Sequence, residues 1–313
     1  MTNLVIRALV EDEARTVFDS LTPSLPDAGL VGRAMAEPPN NTYRTGATPG
    51  GYRPEWTWVA LRDGEVVARA AFWAGPEDDA PVALDWFDFT DREAAVRLLR
   101  ETPLRADYEL ILPPDWHDDP AARAAAEARI DAAAEAGYRP LVERYQYAWT
   151  PEHGLPERPG RLVFHPDADD EAFLDVLRRV HSDTLDGHAR RAVAAGGVEL
   201  AAQEELDFFH WCPSPRDWWR LAATPDGEPV GLQVPVRVPM GYAVGFIGVV
   251  PEQRGHGYGY DLLVECTHQL VELGAERIAA ATDVGNVGMA AAFARAGYPV
   301  VQRRFCMTAP AAP

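Results

Sequence analysis

Short apolar runs alternating with amphipathic stretches describe strands and helices along this chain, and the pattern occurs twice. Leu4-Val5-Ile6-Arg7 precedes the acidic helix start Glu11-Asp12-Glu13, and Leu162-Val163-Phe164-His165 precedes Asp169-Asp170-Glu171. A hairpin signal follows in each half. Trp56-Thr57-Trp58-Val59-Ala60 runs to Asp63-Gly64, and Trp218-Trp219-Arg220-Leu221-Ala222 runs to Asp226-Gly227. Both halves close alike, Ala136-Gly137-Tyr138 leading to Arg144-Tyr145 and Ala296-Gly297-Tyr298 to Arg304-Phe305. A period of about 160 residues suits a duplicated domain rather than a solenoid. Between the copies, Thr150 to Gly160 is rich in proline and glycine, the composition of a linker.

The halves differ in the middle. In the first, the strand-like Val82-Ala83-Leu84-Asp85-Trp86-Phe87 passes to Asp91-Arg92-Glu93 with no glycine-rich turn, and an alanine-rich helix is expected from Ala121 to Ala136, stopped by Gly137. In the second, a short apolar run enters Val249-Val250-Pro251-Glu252-Gln253-Arg254-Gly255-His256-Gly257-Tyr258-Gly259-Tyr260. Leu262, Leu263, Cys266, Leu270 and Leu273 then recur at helical spacing until Gly274. Arg277 to Thr282 reads as a buried strand, and Asn286 opens a helix running through Phe293 to Ala296-Gly297.

Strand, glycine turn and helix in that order make an anion site, because turn amides and the positive end of the helix dipole face the same point. A nucleoside-triphosphate loop is excluded, since it needs a lysine and all 29 basic residues are arginine. The dinucleotide spacing Gly-x-Gly-x-x-Gly does not occur here, where the glycines alternate. The run resembles the acyl-CoA loop of the GCN5-related N-acetyltransferases, Gln/Arg-x-x-Gly-x-Gly/Ala, with Arg254, Gly257 and Gly259 in the defined places.

The resemblance covers residues 161–308 well and residues 1–150 only by internal analogy. It implies an α/β fold (an α+β mixed sheet) of two tandem domains, each a central mixed sheet flanked by helices, in a layout similar to that of the mycothiol synthases. Residues 1–150 are then a degenerate copy without the CoA loop, and residues 161–313 the catalytic domain binding acetyl-CoA. The loop residues Arg254, Gly255, His256, Gly257, Tyr258, Gly259 and Tyr260 are expected around the phosphates. Backbone groups of Gly248, Val249 and Val250 are expected to hold the pantetheine arm and polarise the thioester. Asn286 is expected to contact that arm, to cap its helix, or to do both. Phe293, expected among the cofactor-binding residues, stands where relatives often carry a tyrosine acid.

A net charge of -19 disfavours nucleic acid and favours a cationic acceptor. No run of eighteen apolar residues suggests a membrane span, Met1-Thr2-Asn3 leads directly into a strand-like segment, and Cys212, Cys266 and Cys306 lack metal spacing. A cytoplasmic, metal-free enzyme, monomer or homodimer, is expected.

Deprotonating a lysine-like amine at pH 7 costs roughly 4–5 kcal/mol, whereas expelling a thiolate costs about 2 kcal/mol. The base therefore matters more than the acid. The strand Ala243 to Gly248 lacks the glutamate that relatives often carry there. Candidate base or substrate contacts are Asp186 and His188, in a stretch from Asp183 to His188 that reads as a loop or helix break. His210, flanked by Phe208-Phe209 and Trp211 beside Glu204, Glu205 and Asp207, and Tyr242 complete the set. The expected function is transfer of acetyl from acetyl-CoA to an amine of a small molecule, a metabolite or antibiotic. The alternatives are an acyl-CoA-binding protein without transfer, or a decarboxylating or S-acyl-transferring member of the fold.

Overall fold

The computed structural model describes residues 3–36, 38, 40–45, 51–75, 78–166, 169–238 and 241–311. The chain forms two compact units, one of Met1–Glu143 with Gln302–Pro313 and the other of Arg144–Val301.

Unit 1 begins with β1 (Leu4–Ala8), α1 (Ala14–Asp19), β2 (Thr57–Arg62) and β3 (Glu65–Trp73). Asp63 and Gly64 both take positive φ, 52° and 92°, and join β2 to β3 in a tight hairpin. β4 (Ala83–Phe89) adds antiparallel to β3; α2 (Arg92–Glu101) then crosses to β5 (Asp107–Leu112), which pairs parallel to β4. α3 (Pro120–Glu135) comes next, with Asp119 capping and Pro120 at its first position. The core gathers Phe72, Leu84, Leu98, Leu110 and Met307.

Unit 2 takes in the end of β6 (Arg139–Trp149), then β7 (Val163–His165), α4 (Asp170–His181) and α5 (Gly187–Trp211). Gly196 and Gly197 leave helical geometry and break α5 internally. β8 (Arg220–Ala223), β9 (Pro229–Val238) and β10 (Gly241–Val249) form an antiparallel run. α6 (Tyr258–Glu272) crosses to β11 (Ile278–Asp283), parallel to β10, and α7 (Val287–Arg295) comes after it. Two cores result. Phe173, Leu177, Phe209, Trp219 and Val234 pack beneath α4 and α5, while Leu263, Leu270, Ile278, Phe293 and Tyr147 pack beneath α6 and α7.

The architecture is the mixed α/β type read from the sequence, with one departure from two consecutive halves. β12 (Val300–Thr308), last in sequence, pairs with β5 from Arg303↔Leu112 to Met307↔Tyr108, inside unit 1. From Arg144 onward β6 pairs with β11 inside unit 2, Arg144↔Asp283 through Trp149↔Ile278. The strand orders are β1-β2-β3-β4-β5-β12 and β6-β11-β10-β9-β8-β7. The matching closures of the two halves are thus exchanged between units. Alternation of side chains fixes only which face a strand buries and not which neighbour it pairs with. The three cysteines are buried and none is in a disulfide among the described residues. Among the described residues no helix is long and apolar enough to cross a membrane.

Candidate functional site

β10 runs into a 3₁₀ turn, Pro251–Gln253, and the chain then turns through Gly255 and Gly257, whose φ values are 83° and 79°. An L side chain in that region costs roughly 1–2 kcal/mol, so glycine is the natural residue at both. Gly257 is also the N-cap of α6 and supplies no side chain to its amides. The first-turn N–H groups of Tyr258 and Gly259 consequently have no acceptor within the helix.

Arginine side chains hold this loop from two sides. Arg254 donates from Nε to the Val249 carbonyl (3.2 Å), from Nη2 to the Val180 carbonyl (3.2 Å) and from Nη1 to the Asp183 carboxylate (2.9 Å). It thereby ties the loop to the end of α4. Arg161 donates to both oxygens of buried Asp261 (2.8 and 2.6 Å) and to the His256 carbonyl (3.0 Å), with its guanidinium over the Tyr258 ring. His256 is exposed and stacks on Tyr258, and Arg295 lies 3.8 Å over the Tyr260 ring. Arg161 is a residue that motif reading misses, because it lies far from the loop in sequence.

Beside the loop, β10 and β11 are registered only at Tyr242↔Ile278 and Ala243↔Ala279. Past that point β10 shifts register against β9 between Val244 and Phe246. Val244 to Ile247 remain half-buried, as an open strand edge requires. The Val250 amide donates to the Val230 carbonyl (2.9 Å), toward β9, and the Val249 carbonyl accepts from Arg254. Strand alternation then turns the Gly248 backbone toward β9 and the Val249 amide toward the open edge. Gly248 has a separate reason to be glycine: a Cβ there would lie 3.0 Å from the Val180 methyls of α4.

Charged groups gather where β11 ends. Asp186 caps α5 by accepting from the Ala189 amide (2.9 Å), and Asp283 accepts from the Gly187 amide (2.6 Å). Arg144 of β6 lies 3.3 Å from Asp186 and 3.1 Å from Asp283. Burial raises the Asp186 carboxyl, but Arg144 and the capping amide outweigh it and leave the group below the usual range. Burial and the charge of Asp186 push Asp283 up. Burial, again with Asp186, pushes Glu205 of α5 up to about 8. His188, half-buried on the first turn of α5, faces the charge of Asp186.

The remaining candidates lie apart from that cluster. His210 is exposed, bonded to Asp170 (2.9 Å) with its ring against Trp219. The Tyr242 hydroxyl donates to the Leu273 carbonyl (2.9 Å), where β10 and β11 are still paired. Asn286 Oδ1 accepts from the Met289 amide (3.2 Å), so it is an N-cap. Phe293, 1% exposed, stacks on Tyr147 at 4.3 Å as a core residue. Among the described residues no group of three or more His, Cys, Asp or Glu is placed to hold a metal ion.

Residues 189–298 match the model of the acetyltransferase (GNAT) family. Over 97% of its length the chain is similar to a GCN5-related N-acetyltransferase from Sphaerobacter thermophilus, covering 94% of that chain at 17% identity with a TM-score of 0.53. A tandem GNAT protein from the clavulanic acid biosynthesis pathway is similar over 99% of both chains, at 17% identity and a TM-score of 0.51. A search of curated proteins returns no match. At these identities the structural likenesses speak for the fold.

Proposed function

We propose, from the match of residues 189–298 to the acetyltransferase (GNAT) family model, that unit 2 transfers an acetyl group from acetyl-CoA to an amine of a small molecule. The observation that carries this reading is the junction of an uncapped α6 N-terminus with the open edge of β10. A pyrophosphate needs several N–H donors at one point, and the loop of Arg254, Gly255, His256, Gly257, Tyr258, Gly259 and Tyr260 offers them beside Arg161. A pantetheine arm is an extended chain of amides, and the Val249 amide on the strand edge suits it. The same donor supports stabilisation of the oxyanion that forms when the thioester carbonyl is attacked. Asp186 and His188 are our candidates for contact with the acceptor. Buried reduced cysteines are in keeping with a cytoplasmic setting.

Isothermal calorimetry of the purified protein with acetyl-CoA tests the reading. One site per chain is expected, followed by thiol release when an amine panel is added. Absence of binding would remove acyl transfer from consideration, and binding without release to any acceptor would leave a CoA-binding protein.

A further inference from the structure

The stretch from Thr150 to Gly160, linker-like in composition, belongs to unit 2 and lies along α6. His268 Nε2 donates to the Pro156 carbonyl (2.7 Å), and Arg158 donates to Glu265 and to Glu272 (2.7 Å each). The next residue beyond it, Arg161, donates to both oxygens of Asp261 (2.8 and 2.6 Å). Asp261, Glu265, His268 and Glu272 recur at helical spacing, so one face of α6 carries them all. The segment therefore runs antiparallel to the helix and ends at its first turn. What arrives there is Arg161, whose Nη1 also donates to the His256 carbonyl inside the glycine loop (3.0 Å). Its Nη2 lies 3.5 Å from where a Cβ of Gly257 would stand.

Asp261 stands in the first turn of α6, and its side chain is 3% exposed. A carboxylate there suits the helix dipole, but it opposes a second anion at the same helix end. Arg161 answers that charge. Its Nε and Nη2 are turned to the two Asp261 oxygens and its Nη1 to His256, so the guanidinium fork is committed to the protein although the side chain is 46% exposed. The pair is neutral as a unit, and the first-turn amides of Tyr258 and Gly259 are left to serve as donors. We infer that Arg161 is a positioning residue for the pyrophosphate of acetyl-CoA. It acts through Asp261, whose charge it cancels, and through the His256 carbonyl, which it holds in the loop. The inference rests on the acyl-transfer reading of unit 2. It adds that the segment between the two halves of the sequence is part of the donor site and more than a tether.

Calorimetry with acetyl-CoA on wild type, Arg161→Ala, Asp261→Asn and the double variant tests the inference as a closed cycle. Arg161→Ala is expected to lower affinity about 10-fold, the weight of one charge at a partly buried helix terminus. Asp261→Asn is expected to bind at least as tightly as wild type, because the guanidinium then stands unbalanced beside the loop. In the double variant affinity should return to within about threefold of wild type, since neither charge remains. Two other roles for Arg161 give other patterns. Direct contact with a phosphate would leave the double variant as weak as Arg161→Ala. A pair that only held α6 in place would make Asp261→Asn weak by itself and the double variant no better. Either result would overturn the inference while leaving the donor site intact. Should Arg161→Ala fail to fold, Arg161→Lys takes its place: it keeps the charge, and affinity within about threefold of wild type is expected beside undiminished binding in Asp261→Asn. A clear loss in both would overturn the inference. Failure of acetyl-CoA to bind the wild-type chain would instead overturn the acyl-transfer reading beneath it.

Discussion

In unit 1 the parallel strands β4 and β5 are registered at Ala83↔Asp107 and Leu84↔Tyr108, and in unit 2 β10 and β11 are registered at Tyr242↔Ile278 and Ala243↔Ala279. Each pair parts after two positions, but the two gaps are treated differently. In unit 1 the gap is taken by the protein's own side chains. Arg129 of α3, 3% exposed, donates from Nε to the Phe87 carbonyl (3.1 Å) and from Nη2 to Asp88 (2.8 Å), and also pairs with Asp27. Arg69, 1% exposed, holds the other side of Asp88 at 2.8 Å. Burial raises the Asp88 carboxyl, yet the two guanidinium groups outweigh it and keep the group below the usual range. All of β4 but its last residue is buried, whereas β10 is half-buried along most of its length.

The helices after these strands repeat the contrast. α2 begins at Asp91, whose carboxylate accepts from the Ala94 amide (3.0 Å) and pairs with Arg62, while α6 begins at a glycine. An anion at the start of α2 is already present as part of the chain. A cavity of about 430 Å³ persists at the end of β4, lined by Phe89, Thr90 and Arg92, but Asp27 and Arg129 on its wall are paired with each other. The comparison teaches that one strand-and-helix frame can either close on its own side chains or leave its backbone donors free, the second being the condition for a ligand slot.

The sharpest way to break the comparison is Arg129→Ala. Removing the cation leaves half-buried Asp27 without it and buried Asp88 with Arg69 alone, and the expected loss of stability is about 3–5 kcal/mol. Urea unfolding measures it. Acetyl-CoA stoichiometry should stay at one per chain, because α2 retains its Asp91 cap. A loss below 1 kcal/mol would mean that the ion network does not hold unit 1 together.

Gly257→Trp attacks the other side of the contrast. The substitution forces an L residue to a φ of 79° and sets a ring over the amides of the α6 first turn, next to Arg161, whose Nη2 lies 3.5 Å from a Cβ at this position. Acetyl-CoA affinity is expected to fall about 100-fold, or about 2.7 kcal/mol, in calorimetry. Unchanged affinity would remove the loop from the binding site.

Much of this contrast is legible in the sequence, and the rest fails for identifiable reasons. Asp63-Gly64, the first two of the alternate glycines (Gly255 and Gly257) and the helix stop at Gly274 are local signals, each tied to a dihedral or a cap, and each is met in the structure. The absence of a glycine turn after Phe87 is equally local, and the structure has the Asp91 cap of α2 in that place. Arg144, Arg161 and Arg129 are not legible as site residues, since each acts on groups far away in sequence. His210 misleads for another reason. Its aromatic neighbours in sequence suggest an apolar setting, but adjacent helical residues point in different directions. Phe209 is buried while His210 faces outward. Glu205 stands in the same charged run as Glu204, and nothing in the run marks that Glu205 is the less exposed of the two.

The finest test separates the two barriers that unit 1 sets against a ligand, the side-chain network in the gap and the carboxylate on the helix. Asp91→Ala removes only the second. Loss of an N-cap costs typically about 1 kcal/mol, and the Arg62 pair adds little because both side chains are partly exposed. A modest drop in the thermal midpoint is therefore expected. The Ala94 amide is freed by the change, yet Arg129 still donates to the Phe87 carbonyl on the β4 edge. Calorimetry with acetyl-CoA should still find one site per chain. A second site appearing in Asp91→Ala would mean that the capping carboxylate alone closes unit 1, and that the buried arginines are there for stability rather than exclusion.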